Sequence, residues 1–222
     1  VNISAELDDC EVNGTNMYNV GYYSGGIAGY GEATIKNSRF IDSNISVSSD
    51  SAFGLGGIVG QGTNLSDRYT YVMGCKVKGS TIQGKAAVGG IVGASVPYIK
   101  ACSVEDSNII GDVYVGGIIG YGGDLETTSP SYTILPVTVT NCTLTDLKIK
   151  ATNNASEVIG YNSFNGESDT ITDTTASNCE VIGADTNEKD NEDVVNTQSL
   201  DEAVDTAIDE DVKKVQLNKT LE

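Results

Sequence analysis

The stretch Gly56-Gly57-Ile58-Val59-Gly60 decides the fold of this chain, because near-copies of it recur along the sequence. The other three read GGIAG at 25–29, GGIVG at 89–93 and GGIIG at 116–120, and a degenerate fifth copy is Glu157-Val158-Ile159-Gly160. The closing glycines stand 31, 33, 27 and 40 residues apart. Recurrence at such intervals is the signature of an array in which each unit stacks on its neighbours.

A second recurring signal surrounds one aligned position after each pentapeptide. We align six residues there: Cys10, Phe40, Cys75, Cys102, Cys142 and Cys179. From this position to the closing glycine of the next pentapeptide the spacing is 19, 20, 18, 18 and 18 residues, whereas the return spacing varies from 9 to 22. Half of each repeat is therefore nearly rigid, and we expect the length variation to lie in loops that leave the stack.

The constant half of the repeat shows the alternation of short strands joined by tight turns. Apolar residues recur at every second position, and turn residues such as Gly79-Ser80 and Asp106-Ser107-Asn108 interrupt them. No helical periodicity precedes residue 198, so we predict an all-β, parallel solenoid of about five to six coils. Stacked coils should form two ladders, one of Ile27, Ile58, Ile91, Ile118 and Val158, and a companion of Ala28, Val59, Val92, Ile119 and Ile159 that faces the opposite way.

The GGI(A/V/I)G pentapeptides resemble the GLUG-type repeat, a glycine-rich motif of bacterial surface and secreted proteins. The resemblance covers residues 1–183 and implies a right-handed β-helix-like architecture with an extracellular, adhesive or spacer role. The fifth copy departs from the motif because it lacks the first two glycines, and we expect it to belong to a terminal coil.

The composition changes after residue 183. Residues 184–197 are acidic and without repeat character, which indicates a solvated linker. Residues 198–222 begin with a capping box at Ser199 and continue as an amphipathic helix, followed by a strand near Val212–Leu217. This C-terminal helix and strand form either a cap on the solenoid or the start of a following domain. Because the chain opens at Val1 without methionine, we expect it to be a piece of a longer protein.

The net charge of −18 bears on the choice of partners. Such a chain should be repelled by nucleic acid and by an anionic membrane surface, and no apolar run approaches the roughly 20 residues of a membrane span. We expect no nucleic-acid binding and no direct membrane insertion. No cofactor is expected either, because histidine is absent and no CxxC spacing suggests zinc.

Five cysteines in the same aligned position predict a buried, apolar role. A position that accepts cysteine or Phe40 should be hydrophobic, and free cysteine packs as a small hydrophobe. In-register neighbours lie about 4.8 Å apart, beyond the spacing that disulfide Cβ atoms prefer. We therefore expect reduced core thiols in place of a disulfide framework.

The sequence contains few residue patterns that indicate catalysis. Asp8-Asp9 falls in the first coil, Asp42 and Asp106 fall at repeated turn positions, and no carboxylate partner recurs with Arg39 or Arg68. The sequence also lacks the histidine and the Gly-x-Ser-x-Gly elbow of serine hydrolases. We predict a non-catalytic protein, with a carbohydrate-active β-helix enzyme, either a polysaccharide lyase or a hydrolase, as the alternative.

A binding role rests on tyrosines. Tyr30, Tyr121 and Tyr161 each follow a closing glycine, and Tyr22 and Tyr23 precede the first pentapeptide. Exposed tyrosines on a rigid ladder suit stacking on sugar rings or anchoring of a protein partner, and packing at a corner is the alternative interpretation. The variable segments Gln61–Val72 and Tyr121–Pro136 are further candidates. We predict an adhesin-like binding or spacer module of a bacterial surface or secreted protein, with surface glycans or extracellular host proteins as partners.

Overall fold

The computed structural model describes residues 5–18, 21–47, 52–123, 135–162, 170–183 and 194–196. These residues form short strands and no helix. The strands stack as parallel sheets in sequence order, which makes a β-helix-like solenoid of about six coils and confirms the predicted fold class. The predicted helix after residue 198 and the strand at 212–217 lie outside the described residues.

Five strands make up each complete coil. Coil 1 comprises β1 (Ala5–Asp8), β2 (Glu11–Asn13), β3 (Asn16–Tyr18), β4 (Ser24–Gly25) and β5 (Ala28–Tyr30). Coil 2 comprises β6 (Ala33–Lys36), β7 (Arg39–Ile41), β8 (Asn44–Ser46), β9 (Phe53–Gly56) and β10 (Val59–Gln61). The antiparallel hairpin of β11 (Asn64–Leu65) and β12 (Arg68–Tyr69) then leaves the stack.

Coil 3 comprises β13 (Tyr71–Met73), β14 (Lys76–Lys78), β15 (Thr81–Gln83), β16 (Ala86–Gly89) and β17 (Val92–Ala94). Coil 4 comprises β18 (Tyr98–Lys100), β19 (Ser103–Glu105), β20 (Asn108–Ile110), β21 (Val113–Gly116) and β22 (Ile119–Gly122). Coil 5 comprises β23 (Thr138–Thr140), β24 (Thr143–Thr145), β25 (Lys148–Lys150), β26 (Asn153–Ser156) and β27 (Ile159–Asn162). Coil 6 comprises β28 (Thr170–Thr172), β29 (Thr174–Ser177) and β30 (Glu180–Ile182), and β31 (Val194–Asn196) follows.

Equivalent strands of successive coils form five sheets, which we name A to E in the order in which the chain crosses them. Sheet A runs from β1 to β28, sheet B from β2 to β31, sheet C from β3 to β30, sheet D from β4 to β26 and sheet E from β5 to β27. β31 pairs with β29 and so adds a strand to sheet B. This strand falls within residues 184–197, the segment that the sequence assigns to a linker.

Inward-facing side chains of all five sheets share one hydrophobic core. Both predicted ladders exist: the backbone amide of Ile58 donates to the carbonyl of Ile91, and Val59 pairs with Val92 in register. The prediction that they face opposite ways is wrong, because both pack into the one core. Ile58 and Val59 are both buried, as are their counterparts in coils 3 to 5. Full burial of each such side chain contributes about 1.5–3 kcal/mol, so stacking of the coils supplies much of the stability.

The glycines allow sheets D and E to approach each other backbone to backbone. A Cβ on the closing glycine Gly93 would lie closer than 3.0 Å to backbone atoms of Gly54 and Leu55, in the sheet D strand of the preceding coil. Gly60, Gly120 and Gly160 stand in the same relation to the coil before them. The second glycine of each motif, for example Gly57, faces core side chains such as Val77. The motif therefore removes side chains where two backbones meet.

The degenerate fifth copy lies at the end of sheets D and E. In the first four copies, a Cβ on the first glycine would collide with the carbonyl three residues later in its own coil and also with backbone atoms of the next coil; for Gly116 these are the carbonyl of Ile119 and the amide of Gly160. Ser156 and Glu157 occupy the first two positions of the fifth copy, on the last strand pair of these sheets. Among the described residues, no further coil of sheets D and E restricts their side chains.

The alignment of the cysteines with Phe40 is wrong by two residues. Phe40 pairs in register with Val12 and Val77 and lies inside the core on sheet B. The residue of coil 2 that stands in the cysteine position is Ser38, which accepts a hydrogen bond from the backbone amide of Cys10 at 3.2 Å. In coil 6 the position belongs to Thr174, and Cys179 lies at the following corner instead.

The residues at this corner position all make the same kind of hydrogen bond. Each side chain donates to the carbonyl two residues earlier: Ser38 to Lys36 at 2.8 Å, Cys102 to Lys100 at 3.4 Å and Thr174 to Thr172 at 3.2 Å. Cys10, Cys75 and Cys142 do the same. The position therefore selects a small side chain with a donor, not a hydrophobic one. The five cysteines are free, as expected, but for a different reason.

The residue that precedes each corner position has the left-handed backbone conformation, with a positive φ. Asn37, Ala101 and Asn141 have φ of 49°, 53° and 53° at the first corner, and Asp42 and Asp106 have φ of 46° and 48° at the second. Asparagine and aspartate tolerate this conformation better than most residues. The turn role predicted for Asp42 and Asp106 is confirmed.

We expect Gly93→Ala to lower the free energy of unfolding by about 3 kcal/mol or more, because the colliding atoms are backbone atoms that have no room to move. The matched control is Gly21→Ala, where an added Cβ meets nothing within 4 Å. Urea denaturation followed by circular dichroism measures both. Equal stability of the two variants would contradict the close approach of sheets D and E.

At the corner position, Cys75→Ser should cost about 1 kcal/mol, because serine keeps the bond to the carbonyl of Met73. Cys75→Phe should cost about 3 kcal/mol or more, because the buried site has no space for the ring. Thermal unfolding of the two variants compares them directly. A phenylalanine variant as stable as the serine variant would restore the alignment with Phe40.

Candidate binding surface

The tyrosines that follow the closing glycines lie in one ladder on sheet E. Tyr30 pairs in register with Gln61, Gln61 with Ala94, Ala94 with Tyr121, and Tyr121 with Tyr161. Tyr30 is 57 % exposed, whereas Tyr121 and Tyr161 are half-buried. The register predicted from the sequence is therefore correct, and the exposure of the three rings differs.

Tyr121 and Tyr161 belong to an aromatic cluster, which we call the C-terminal aromatic cluster and which also contains Phe53 and Tyr114. The rings of Tyr121 and Tyr161 are stacked, with centroids 5.6 Å apart and an angle of 27° between planes. Tyr114 lies 4.6 Å from Tyr161 and 5.5 Å from Tyr121, and the edge of Phe53 meets Tyr121 at 6.1 Å. Four rings from coils 2, 4 and 5 thus form one continuous aromatic surface.

The other three predicted tyrosines form a separate group in coil 1. Tyr23 stacks on Tyr30 with ring centroids 5.3 Å apart, and Tyr22 packs against Tyr23 at 5.9 Å. Gln61 and Ala94 stand between the two groups in the sheet E ladder, and both are buried. The structure therefore divides the five predicted residues into two surfaces instead of joining them in one.

Two of these tyrosines adopt a backbone conformation that is rare for a bulky residue. Tyr23 and Tyr114 have φ of 55° and 60°, at a position of sheet D occupied by Gly54 in coil 2. The left-handed region costs roughly 1–2 kcal/mol for a residue with a side chain. Tyr114 nevertheless brings its ring between Tyr121 and Tyr161, so this strained residue completes the C-terminal aromatic cluster.

Sequence reasoning missed a third group of tyrosines on the outer face of sheet A. Tyr71 and Tyr98 are partners in register, with ring centroids 6.2 Å apart, and Tyr69 meets Tyr98 edge-on at 5.4 Å. A signal was present, because Tyr71 and Tyr98 each stand four residues before a corner cysteine. Tyr69 comes from the hairpin, and nothing in the sequence indicates its contact with Tyr98.

The variable segment Gln61–Val72 is an ordered hairpin. Thr70 is buried, donates to the carbonyl of Gly31 at 2.8 Å and accepts from the amide of Thr63 at 3.0 Å, so it fastens both ends of the hairpin to the stack. Most of the second predicted segment, Tyr121–Pro136, lies outside the described residues.

Charged side chains pair between coils at the surface. Arg39 binds Asp9 at 2.9 Å and Glu11 at 2.8 Å, so this arginine has carboxylate partners that the sequence did not reveal. The hydrogen bond from Arg39 lowers the pKa of Glu11 below its ordinary value. Lys76 and Glu105 pair in the same way at 2.7 Å. Exposed pairs of this kind contribute little to stability and are ordinary connections between neighbouring strands.

Within the part of the chain that the structure describes, no group of three or more cysteine, aspartate or glutamate side chains is placed to hold a metal ion. A stack of thiols lies inside the solenoid instead. Hydrogen bonding to Cys142 and Cys75, together with burial, raises the pKa of Cys102 well above its ordinary value. Burial raises the pKa of Cys179 to about 11. Cys102 and Cys179 are therefore protonated near neutral pH, whereas hydrogen bonding to Cys102 lowers the pKa of Cys75 and of Cys142.

The described residues contain no helix of the length and hydrophobicity needed to cross a membrane. Comparison with models of known protein families gives no match, and comparison with curated proteins gives none either.

Alkylation of Cys179 should have a pH midpoint near 11 in the folded protein and about 9, its ordinary value, after unfolding in urea. The sign follows from the chemistry, since only the thiolate reacts and burial favours the protonated form. Iodoacetamide labelling at a series of pH values, with mass spectrometry of the Cys179 peptide, gives both midpoints. A folded-state midpoint near 9 would show that this corner is open to solvent.

Proposed function

We propose that this chain is a non-catalytic repeat module of a bacterial cell-surface or secreted protein, which binds an extracellular partner in the manner of an adhesin. The single observation that carries the proposal is the C-terminal aromatic cluster, in which Phe53, Tyr114, Tyr121 and Tyr161 converge on a rigid stack. The resemblance of the pentapeptides to GLUG-type repeats supports the extracellular location.

The geometry of the C-terminal aromatic cluster suits recognition of a ring-bearing ligand. Tyrosine presents an apolar face and a polar hydroxyl, so it stacks on a sugar ring while it hydrogen-bonds to a hydroxyl group. The strands of Phe53, Tyr114 and Tyr121 are paired in register on both sides and that of Tyr161 on one side, which keeps the entropic cost of binding low. Surface glycans are the first class of partner that we propose, and aromatic anchors of this kind also suit host proteins.

The solenoid itself supports the second part of the proposed role. Each coil adds about 4.8 Å of length, so the stack suits a spacer that carries the aromatic surface away from its attachment point. Charged side chains on the strands pair with charged side chains of the next coil, and aspartates at the corners adopt the left-handed turn conformation. These structural roles account for such residues without catalysis. We therefore propose that the chain binds a partner and acts as a spacer, and that it does not catalyse a reaction.

A glycan-array screen tests the binding role. Where a glycan binds, we expect Tyr121→Ala and Tyr161→Ala each to weaken it by roughly fivefold or more, because each removes a stacked ring from the centre of the surface. The matched control is Tyr18→Ala on sheet C, where the ring is 67 % exposed. Surface plasmon resonance on the array hits measures the affinities, and thermal melts check the fold.

Two results would contradict the proposal. One is binding that is equally weakened by Tyr18→Ala, which would place it outside the C-terminal aromatic cluster. The other is cleavage of an acidic polysaccharide, assayed in parallel with and without calcium, which would favour the carbohydrate-active enzyme over the binding module.

A further inference from the structure

The outer face of sheet A has a composition that no other face of the solenoid shares. In coils 2 to 6 its outward positions are held by two tyrosines, two lysines, one methionine and five threonines: Thr34, Lys36, Tyr71, Met73, Tyr98, Lys100, Thr138, Thr140, Thr170 and Thr172. None of them is acidic, although acidic residues outnumber basic ones by 31 to 13 in the whole chain. We call this surface the sheet A strip.

The strip is aromatic at its centre. Tyr71 and Tyr98 are neighbours across coils 3 and 4, and both rings are half-buried against the strand surface. Tyr69, 43 % exposed, reaches over from the hairpin and meets Tyr98 edge-on, with centroids 5.4 Å apart. The hairpin therefore adds a third ring beside Tyr71 and Tyr98, whose planes are tilted by 58° to each other, and these three rings offer both a face and an edge to a ligand.

Lys100 places a positive charge beside these tyrosine rings. Lys100 is exposed, lies two residues from Tyr98 on the same outer face, and forms no ion pair with any described residue. Lys36, on the same row two coils away, pairs with Glu6 of coil 1 at 2.8 Å. The strip thus presents an available positive charge, which favours a ligand that carries a carboxylate.

The overall charge of −18 disfavours an anionic ligand in general, so binding of one depends on the charges close to the strip. Charges further away than about 8 Å are largely screened at physiological ionic strength. The local composition of the strip therefore decides which ions approach it.

Hydroxyl groups continue the strip beyond the tyrosines. Thr138 pairs with Thr170 and Thr140 with Thr172, so coils 5 and 6 present two rows of threonines directly in line with Tyr98 and Lys100. Neighbouring rows are about 4.8 Å apart. A ligand that lies along the solenoid axis would meet first aromatic rings and an ammonium group, then a regular series of hydroxyl donors and acceptors.

We infer that the sheet A strip binds an extended, carboxylate-bearing polysaccharide that runs along the solenoid axis. Sugar rings stack on Tyr71 and Tyr98, an acidic substituent meets Lys100, and the threonine rows accept and donate hydrogen bonds to the sugar hydroxyls. A peptide strand fits less well, because the strip is a sheet face without deep apolar pockets for alternate side chains. This site is separate from the C-terminal aromatic cluster and does not rest on its role.

The test uses short oligomers of galacturonate and of alginate, each beside its methyl-esterified form, which keeps the sugar and removes the charge. We expect at least one of the two acidic oligomers to bind in the presence of a calcium chelator. Its affinity should fall as salt rises, and its ester should bind several-fold more weakly, because the ammonium group of Lys100 then has no carboxylate to meet. Isothermal titration calorimetry provides the affinities.

Variants assign the binding to the strip. We expect Tyr98→Ala to weaken binding roughly tenfold, as loss of a central aromatic anchor does, and Lys100→Gln to weaken it several-fold and to remove much of the salt dependence. The matched controls are Lys150→Gln and Tyr18→Ala, two exposed residues of sheet C, and Tyr121→Ala is measured beside them as the comparison with the C-terminal aromatic cluster. Both controls should bind as the unaltered protein does.

Three results would overturn the inference: binding of neither acidic oligomer, equal binding of acid and ester, or loss of binding in Tyr121→Ala with retention in Tyr98→Ala. The last result would show that the acidic glycan binds at the C-terminal aromatic cluster, and the proposed function would still stand. Loss in Tyr98→Ala alone, with glycan-array binding still dependent on Tyr121, would establish two separate surfaces.

Discussion

The close approach of sheets D and E is the constraint on which the rest of the structure depends. Two backbones meet there without intervening side chains, because Gly60, Gly93, Gly120 and Gly160 each lie against the sheet D strand of the preceding coil. This contact staggers the two sheets by one coil. Phe53 of coil 2 also meets Tyr121 of coil 4, so rings far apart in the sequence share one surface. The glycine motif thus shapes both the core and the C-terminal aromatic cluster.

The glycine motif explains which parts of the fold could be predicted. With Ser38 as the corner residue of coil 2, the segment from the first corner to the closing glycine has 18 residues in coils 3 to 5, 19 in coil 1 and 22 in coil 2, so the pairing of Val59 with Val92 follows from counting within the glycine motif and not from a constant segment length. The same counting gives the ladder that contains Tyr30, Tyr121 and Tyr161. Which of these rings touch one another depends on the stagger of sheets D and E, and no spacing in the sequence reports that stagger.

The error in aligning Phe40 with the cysteines has a physical origin. Hydrophobicity groups cysteine with phenylalanine, whereas the corner selects a donor for the carbonyl two residues earlier, a property that cysteine shares with Ser38 and Thr174. Both kinds of residue are buried, so burial alone does not separate them. The second row of corners shows the same bond from Ser43, Ser80 and Ser107. The same polar rule thus recurs at both corners of the coils, with Leu147 at the second corner of coil 5 as an exception, in what otherwise looks like an apolar repeat.

The two aromatic surfaces differ in how the chain builds them, and the difference bears on what they bind. The C-terminal aromatic cluster requires Tyr114 in a left-handed conformation that Gly54 or Ala87 occupies elsewhere on sheet D, so a structural cost accompanies the placement of that ring. The sheet A strip requires no unusual backbone, because Tyr71 and Tyr98 stand at ordinary outward positions of β-strands. Its distinguishing feature is the lysine Lys100 beside the ring of Tyr98, because the strands of sheets D and E carry no charged residue of either sign. An ammonium group therefore separates the sheet A strip from the C-terminal aromatic cluster, whose own mark is the left-handed backbone of Tyr114.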